Sequence, residues 1–199
     1  MKILFITFFC CALSVTAQEK FDLASVIKFH KELNVQYGDS VKSPLMTEDI
    51  KKFESLNFYP PNEKYFIIAK LRKTKNSNPF EMKTSTARRP MYRKYGELTF
   101  MMDGVKHKLN VYQSIDLIKK EEYKNNLFLP FSDLTSGNET YIGGRYIDLE
   151  IPNRNTIAVD FNKAYNPYCA YNHKYSCPLV PLENDLKIAI HAGVKKFHD

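Results

Sequence analysis

Hydrophobic positions change their period along the chain. Across residues 21–35, Leu23, Val26, Ile27, His30 and Leu33 recur at helical spacing, which predicts an amphipathic helix near the N-terminus with His30 at its surface or interface. Thr47 precedes Glu48 and Asp49, a capping hydroxyl followed by acids that favour the positive end of a helix dipole. A short helix over 47–56 is therefore expected, closed off by Pro60-Pro61. From residue 65 the pattern turns to short apolar runs and alternation. Strands are predicted at 65–69, 80–86, 98–102, 105–112, 127–131, 141–151, 156–161 and 186–194. Asp103-Gly104 between two of them matches a type I′ hairpin turn, and residues 115–126 read as a helical or irregular connection. Many short strands without helical crossovers predict a mainly β fold, an antiparallel sandwich or partly open barrel carrying the N-terminal helix.

The start of the chain addresses its location. Lys2 is followed by an apolar run over residues 3–15 and by Val15-Thr16-Ala17, small residues where a signal peptidase cuts. The run is too short to span a bilayer. Residues 1–17 read as a signal peptide, 18–42 as helix and linker, and 43–199 as a single β-rich domain. The expected mature protein is extracytoplasmic, periplasmic or secreted, with no transmembrane segment. Cys10 and Cys11 leave with the signal, so Cys169 and Cys177 are the remaining cysteines. In an oxidising compartment their spacing predicts a disulfide. Free thiols and a metal site with His173 are the other readings, and the metal reading lacks an evident fourth ligand.

Net charge is +7, concentrated where residues 70–94 hold nine basic side chains against Glu81. Such a stretch attracts polyanions, but no nucleic-acid motif accompanies it. Lysines guarding strand edges explain it more simply.

Candidate chemistry gathers between residues 128 and 184. Asp133, Thr135, Glu139, Tyr141, Arg145, Asp160, Asn162, Tyr165 and Asn166 crowd there beside glycines and prolines. Buried polar groups must be paired, so such density builds either a hydrogen-bonded knot or a ligand site. Arg145 offers a planar fork for a carboxylate, from Asp133, Glu139, Asp160 or a ligand. Gly143-Gly144 allow close approach beside it. Asp160 and Asn162, two apart, are expected on one face of a strand.

The runs Phe128-Leu129-Pro130-Phe131-Ser132-Asp133-Leu134-Thr135-Ser136-Gly137, Glu139-Thr140-Tyr141, Gly144-Arg145-Tyr146, Asp160-Phe161-Asn162, Ala164-Tyr165-Asn166-Pro167, Cys169-Ala170-Tyr171-Asn172 and Cys177-Pro178-Leu179 resemble the bacterial family DUF1684. The resemblance extends upstream to about Ser43. It departs at the end, where Ala192-Gly193 is followed by Val194-Lys195 instead of the family's usual Glu-Lys. It implies a shared fold and polar site and supplies no activity. Three functional readings stay open: a binding domain for a small polar or anionic ligand, a hydrolase of an extracytoplasmic glycan or related substrate using Asp133, Glu139 and Asp160, and a purely structural polar network. No phosphate loop, dinucleotide fingerprint or nucleophilic triad is present, so no cofactor is expected.

Overall fold

A computed structural model describes residues 19–198; the expected signal peptide lies outside the described residues. The domain is built on one seven-stranded antiparallel sheet that curls into a half-barrel, which resolves the choice between sandwich and partly open barrel in favour of the latter. Along the sheet the strands run β6 (Arg145–Glu150), β5 (Asn126–Phe131), β4 (Val105–Ser114), β3 (Met91–Met102), β1 (Phe66–Lys73) and β7 (Thr156–Asp160), with the short β2 (Phe80–Glu81) pairing on β3. The β3–β4 hairpin turns at Asp103 and Gly104, whose φ angles of 51° and 74° are those of the expected type I′ turn.

Alternation decides which face is sealed. Leu98, Phe100 and Met102 on β3 meet Leu109 and Val111 on β4, Leu127, Leu129 and Phe131 on β5, and Val159 on β7 inside the curl. A smaller cluster of Met82, Tyr112, Phe128 and Tyr146 covers part of the opposite face.

Helix α1 (Leu23–Gly38) starts at Asp22, whose carboxylate accepts from the Ser25 N–H at 3.2 Å. Its buried seam runs Val26, His30, Leu33, Tyr37, at spacings of four, three and four. Leu23 and Ile27, expected on that seam, are about half exposed. His30 stacks on Phe58 at 3.8 Å and bonds the Asn162 carbonyl through Nε2 at 2.8 Å, an interface position. Among the described residues no helix is long and apolar enough to cross a membrane.

Four predicted elements differ. Helix α2 stops after one turn (Thr47–Ile50), and Met46 rather than Thr47 stands at its cap with no side-chain bond, so little holds a longer helix. The strand expected over 80–86 is only β2, because Thr84 instead bonds the loop carbonyls of Thr86 and Arg88. Residues 141–144 form a turn, closed by the Gly144 N–H on the Tyr141 carbonyl at 3.0 Å, so Tyr141 precedes the strand. Residues 186–194 are not a strand, for a reason that lies in Arg145.

Candidate functional site

Arg145 opens β6 with its side chain completely removed from solvent, and the same holds for the Asp133 carboxylate. They form an ion pair at 2.8 Å, as the fork geometry of arginine favours. The second guanidinium nitrogen also donates to the Ile190 carbonyl at 2.9 Å, and Nη1 donates to the carbonyls of Ala192 and Val194. One arginine thus satisfies the alternate carbonyls that a neighbouring strand would otherwise take, which is why the C-terminal segment lies in place without joining the sheet. Asp133 holds the same segment from its other oxygen: Oδ1 accepts from the Ile190 N–H at 3.1 Å, the Thr135 N–H at 2.9 Å and the Thr135 hydroxyl at 2.7 Å. Thr135 and Thr140 join hydroxyls at 2.9 Å, and the Phe131 ring lies 5.2 Å from the guanidinium carbon. Gly144 makes this approach feasible. Its φ is +81°, and a Cβ there would stand 2.5 Å from the Phe131 carbonyl oxygen. The pair sits in a closed interior.

Asp160 and Asn162 are not side by side on a strand. β7 ends at Asp160, which caps the following 3₁₀ turn by accepting from the Asn162 N–H at 3.0 Å and its amide at 2.8 Å. Asn162 is buried and exchanges two hydrogen bonds with the Asn62 backbone, at 2.9 and 3.0 Å, tying the Pro60-Pro61 loop to the sheet. Buried Asn166 donates to the Lys195 carbonyl at 3.0 Å. Two amides of the nine candidates therefore hold loops.

Glu139 lies apart from these, about half exposed. It accepts from the Tyr59 hydroxyl at 3.1 Å and meets His191 Nε2 at 3.3 Å, and the Lys195 ammonium rests 4.6 Å from the Tyr59 ring centre. The hollow beside it, about 400 Å³, is bordered by Asn57, Asn138, Lys195 and Phe197. Tyr59 and His191 escaped the sequence reading because they lie 80 and 52 residues from Glu139 and carry no local motif.

Cys169 and Cys177 are unbonded thiols, so the disulfide expected from their spacing is absent from the structure. They are nonetheless adjacent, with the Cys169 N–H donating to the Cys177 sulfur at 3.2 Å. The helix that a Cys169–His173–Cys177 metal site needs does not form, since only Tyr168–Ala170 makes a 3₁₀ turn. Tyr141 reaches this pair, its hydroxyl 4.0 Å from the Cys169 sulfur. In the basic stretch, Arg88 is a brace: it donates to the Ser176 carbonyl at 2.7 Å and hydroxyl at 3.1 Å.

A cavity of about 750 Å³ opens where the half-barrel fails to close, between the edge strands β6 and β7. Tyr146 exchanges both main-chain bonds with Tyr165, so the alternation of antiparallel strands turns the N–H and C=O of Asp148 and Glu150 toward the same edge. On β7 the Leu71-to-Asn155 bond at 2.8 Å fixes the register, turning those of Ala158 outward to the gap. Seven carboxylates and three lysines line the cavity, with apolar walls from Phe29 and Phe66. Tyr165 donates to Asp148 Oδ2 at 2.6 Å. Burial first, then the Asp148 charge, pushes the Tyr165 phenol well above its ordinary range, so it remains a donor. Of the sequence candidates, Asp160 and Tyr165 border this cavity. Asp148, its other polar wall, sits in an ordinary alternating strand and carried no signal.

The family model described as a protein of unknown function (DUF1684) matches residues 51–195. Among solved structures, the chain is similar to the solution NMR structure of an uncharacterised protein from gene locus rrnAC0354 of Haloarcula marismortui. The two are 31% identical with a TM-score of 0.68, over 86% of this chain and 92% of that one. No curated protein matches.

Proposed function

This chain belongs to the DUF1684 family, proteins of unknown function, and from that premise we propose that it is an exported binding domain for a small polar ligand, seated in the cleft between β6 and β7. The observation that carries this reading is the cleft itself: a volume of about 750 Å³ at an open sheet seam, within the range of small-molecule sites. Its polar groups converge from two edges, with main-chain donors and acceptors, the Asp148 carboxylate and the Tyr165 phenol on one side and Asp160 on the other. Its carboxylates outnumber its lysines by seven to three within a chain whose net charge is +7. That balance favours a ligand carrying an amine or other cation over the anion that Arg145 would have taken, since the terminal nitrogens of Arg145 are bonded to Asp133 and three carbonyls inside a sealed interior.

The hydrolase reading gains less support. Two carboxylates must flank one bond, whereas Asp133 is sealed against Arg145 and Glu139 borders a different hollow from Asp160. Export rests on the signal-like residues 1–17; N-terminal sequencing of the protein recovered outside the cytoplasm should begin near Gln18, and a retained Met1 would refute it.

Thermal shift with a panel of amines, beginning with spermidine, and of dicarboxylates, beginning with succinate, tests the ligand class. Saturation at about a hundred times Kd contributes about 2.7 kcal/mol, or roughly 5–10 °C for a domain of this size. An amine should stabilise the wild type and not Asp148→Asn, which should melt like the wild type when unliganded. Stabilisation by dicarboxylates alone would overturn the charge argument.

A further inference from the structure

We propose that Cys169 and Cys177 are an exchange-active dithiol–disulfide couple acting on low-molecular-weight disulfides, with Cys169 the attacking sulfur and Cys177 the resolving one. This site is separate from the cleft and does not rest on that reading.

The geometry of the pair is asymmetric. Cys169 sits on the 3₁₀ turn Tyr168–Ala170 and is partly exposed, whereas Cys177 is buried. The arm carrying Cys177 is clamped to the loop after β2: Thr84 bridges Pro178, the Ser85 N–H donates to the Cys177 carbonyl at 2.9 Å, and the Cys177 N–H donates to the Ser85 hydroxyl oxygen at 3.1 Å. Arg88 adds its bond to the Ser176 carbonyl at 2.7 Å. Two donors stand at the partly exposed sulfur: the Cys177 thiol, held beside it by the Cys169 N–H at 3.2 Å, and the Tyr141 hydroxyl at 4.0 Å.

Each donor favours a thiolate at Cys169. Its pKa falls to about 6, chiefly through the Cys177 hydrogen bond and against the cost of burial. Cys177 moves upward for the reciprocal reason, the bond it gives to Cys169, and burial adds to it. Burial pushes Tyr141 up to about 12, so it too remains a protonated donor. One sulfur is thus a partly exposed nucleophile and the other a buried proton carrier, the division of labour that exchange requires.

The chemistry balances as follows. The Cys169 thiolate attacks one sulfur of an incoming disulfide, its S–S bond breaks, and one thiolate leaves. Cys177 surrenders its proton to that leaving thiolate and attacks the Cys169 sulfur of the mixed disulfide. The second thiolate leaves and takes a proton from solvent. The protein is oxidised by two electrons to the Cys169–Cys177 disulfide, and the small disulfide is reduced to two thiols. Closing nine residues needs no element to move out of the sheet, because both cysteines lie outside the strands, beyond β7.

The test incubates the reduced chain without its first 17 residues with oxidised glutathione at neutral pH, followed by intact mass. The wild type should lose two hydrogens and return to the dithiol in excess reduced glutathione. Cys177→Ser should accumulate one glutathionyl group on Cys169, located by peptide mapping. Cys169→Ser should react at least tenfold more slowly. Alkylation of the wild type by iodoacetamide should follow a pH profile centred well below that of a free thiol, about 8.5, and Cys177→Ala should move that centre upward. Three results would overturn the proposal: no reaction with oxidised glutathione, an adduct on Cys177 in preference to Cys169, or a disulfide that excess reduced glutathione cannot reopen.

Discussion

Replacing Arg145 by alanine removes one side chain and strands three acceptors. Asp133 Oδ2 loses its partner at 2.8 Å and the carbonyls of Ala192 and Val194 lose their donor in an interior that water does not reach, while the Ile190 carbonyl keeps the Ala192 N–H at 2.9 Å. Breaking a buried pair by deleting one partner costs about 3–5 kcal/mol. An unsatisfied buried carbonyl adds about 1–3 kcal/mol. The costs do not add fully, because the freed segment can relax and Asp133 retains three donors on Oδ1. A loss of about 3–5 kcal/mol is therefore expected, a large share of the 5–15 kcal/mol that typically holds a domain together. Urea unfolding followed by circular dichroism measures it through the midpoint. Pairing the change with Asp133→Leu discriminates further. An isolated buried ion pair can often be exchanged for apolar groups without loss. Here the Ala192 and Val194 carbonyls remain orphaned, so Arg145→Met/Asp133→Leu should still be destabilised by at least ~2 kcal/mol. A single mutant within about 1 kcal/mol of the wild type would refute the reasoning and reopen Arg145 as a ligand-facing group.

Two further outcomes follow from backbone geometry and from His30. Gly144→Ala should destabilise by about 1–3 kcal/mol, since φ of +81° is strained for alanine and its Cβ would meet the Phe131 carbonyl; equal stability in a thermal melt would show that the turn adapts freely. Burial, outweighing the Asn162 bond and the Asp160 charge, holds the His30 pKa below its ordinary value of 6.5. The unfolded chain then takes up the proton first, so the His30 contribution is complete above pH 6.5 and is lost as pH falls through the folded value. The slope of unfolding free energy against pH between 7 and 5 should flatten in His30→Gln, and an unchanged slope would assign the acid sensitivity elsewhere.

Much of this architecture follows from local pattern. Alternation and short apolar runs are set by neighbouring residues, so β1, β3, β4, β5 and β7 and the Asp103-Gly104 turn were legible, and with them a β fold of barrel type. The crowding of Asp133, Thr135 and Arg145 marked a place where polar groups had to be paired, and there Asp133 pairs with both Thr135 and Arg145. What local pattern could not decide was which partner each group takes. Residues 186–194 have the composition of a strand, yet their carbonyls are claimed by a single arginine some 45 residues away, a competition visible only once both are folded. The helix seam takes in Tyr37 and leaves out Leu23 because the loop and C-terminal residues it packs on, Phe58, Tyr171 and Val194 among them, choose which stripe to cover. The seam between β6 and β7 is a product of curvature: the two edges are consecutive in sequence, yet the sheet brings them round to face one another without pairing. Residues of unremarkable pattern, Asp148 among them, come to border a cavity there that only the tertiary structure creates. Sequence set the elements, since propensity and periodicity act over a few residues. Tertiary structure set the site, since burial and hydrogen-bond pairing are decided between residues far apart in the chain.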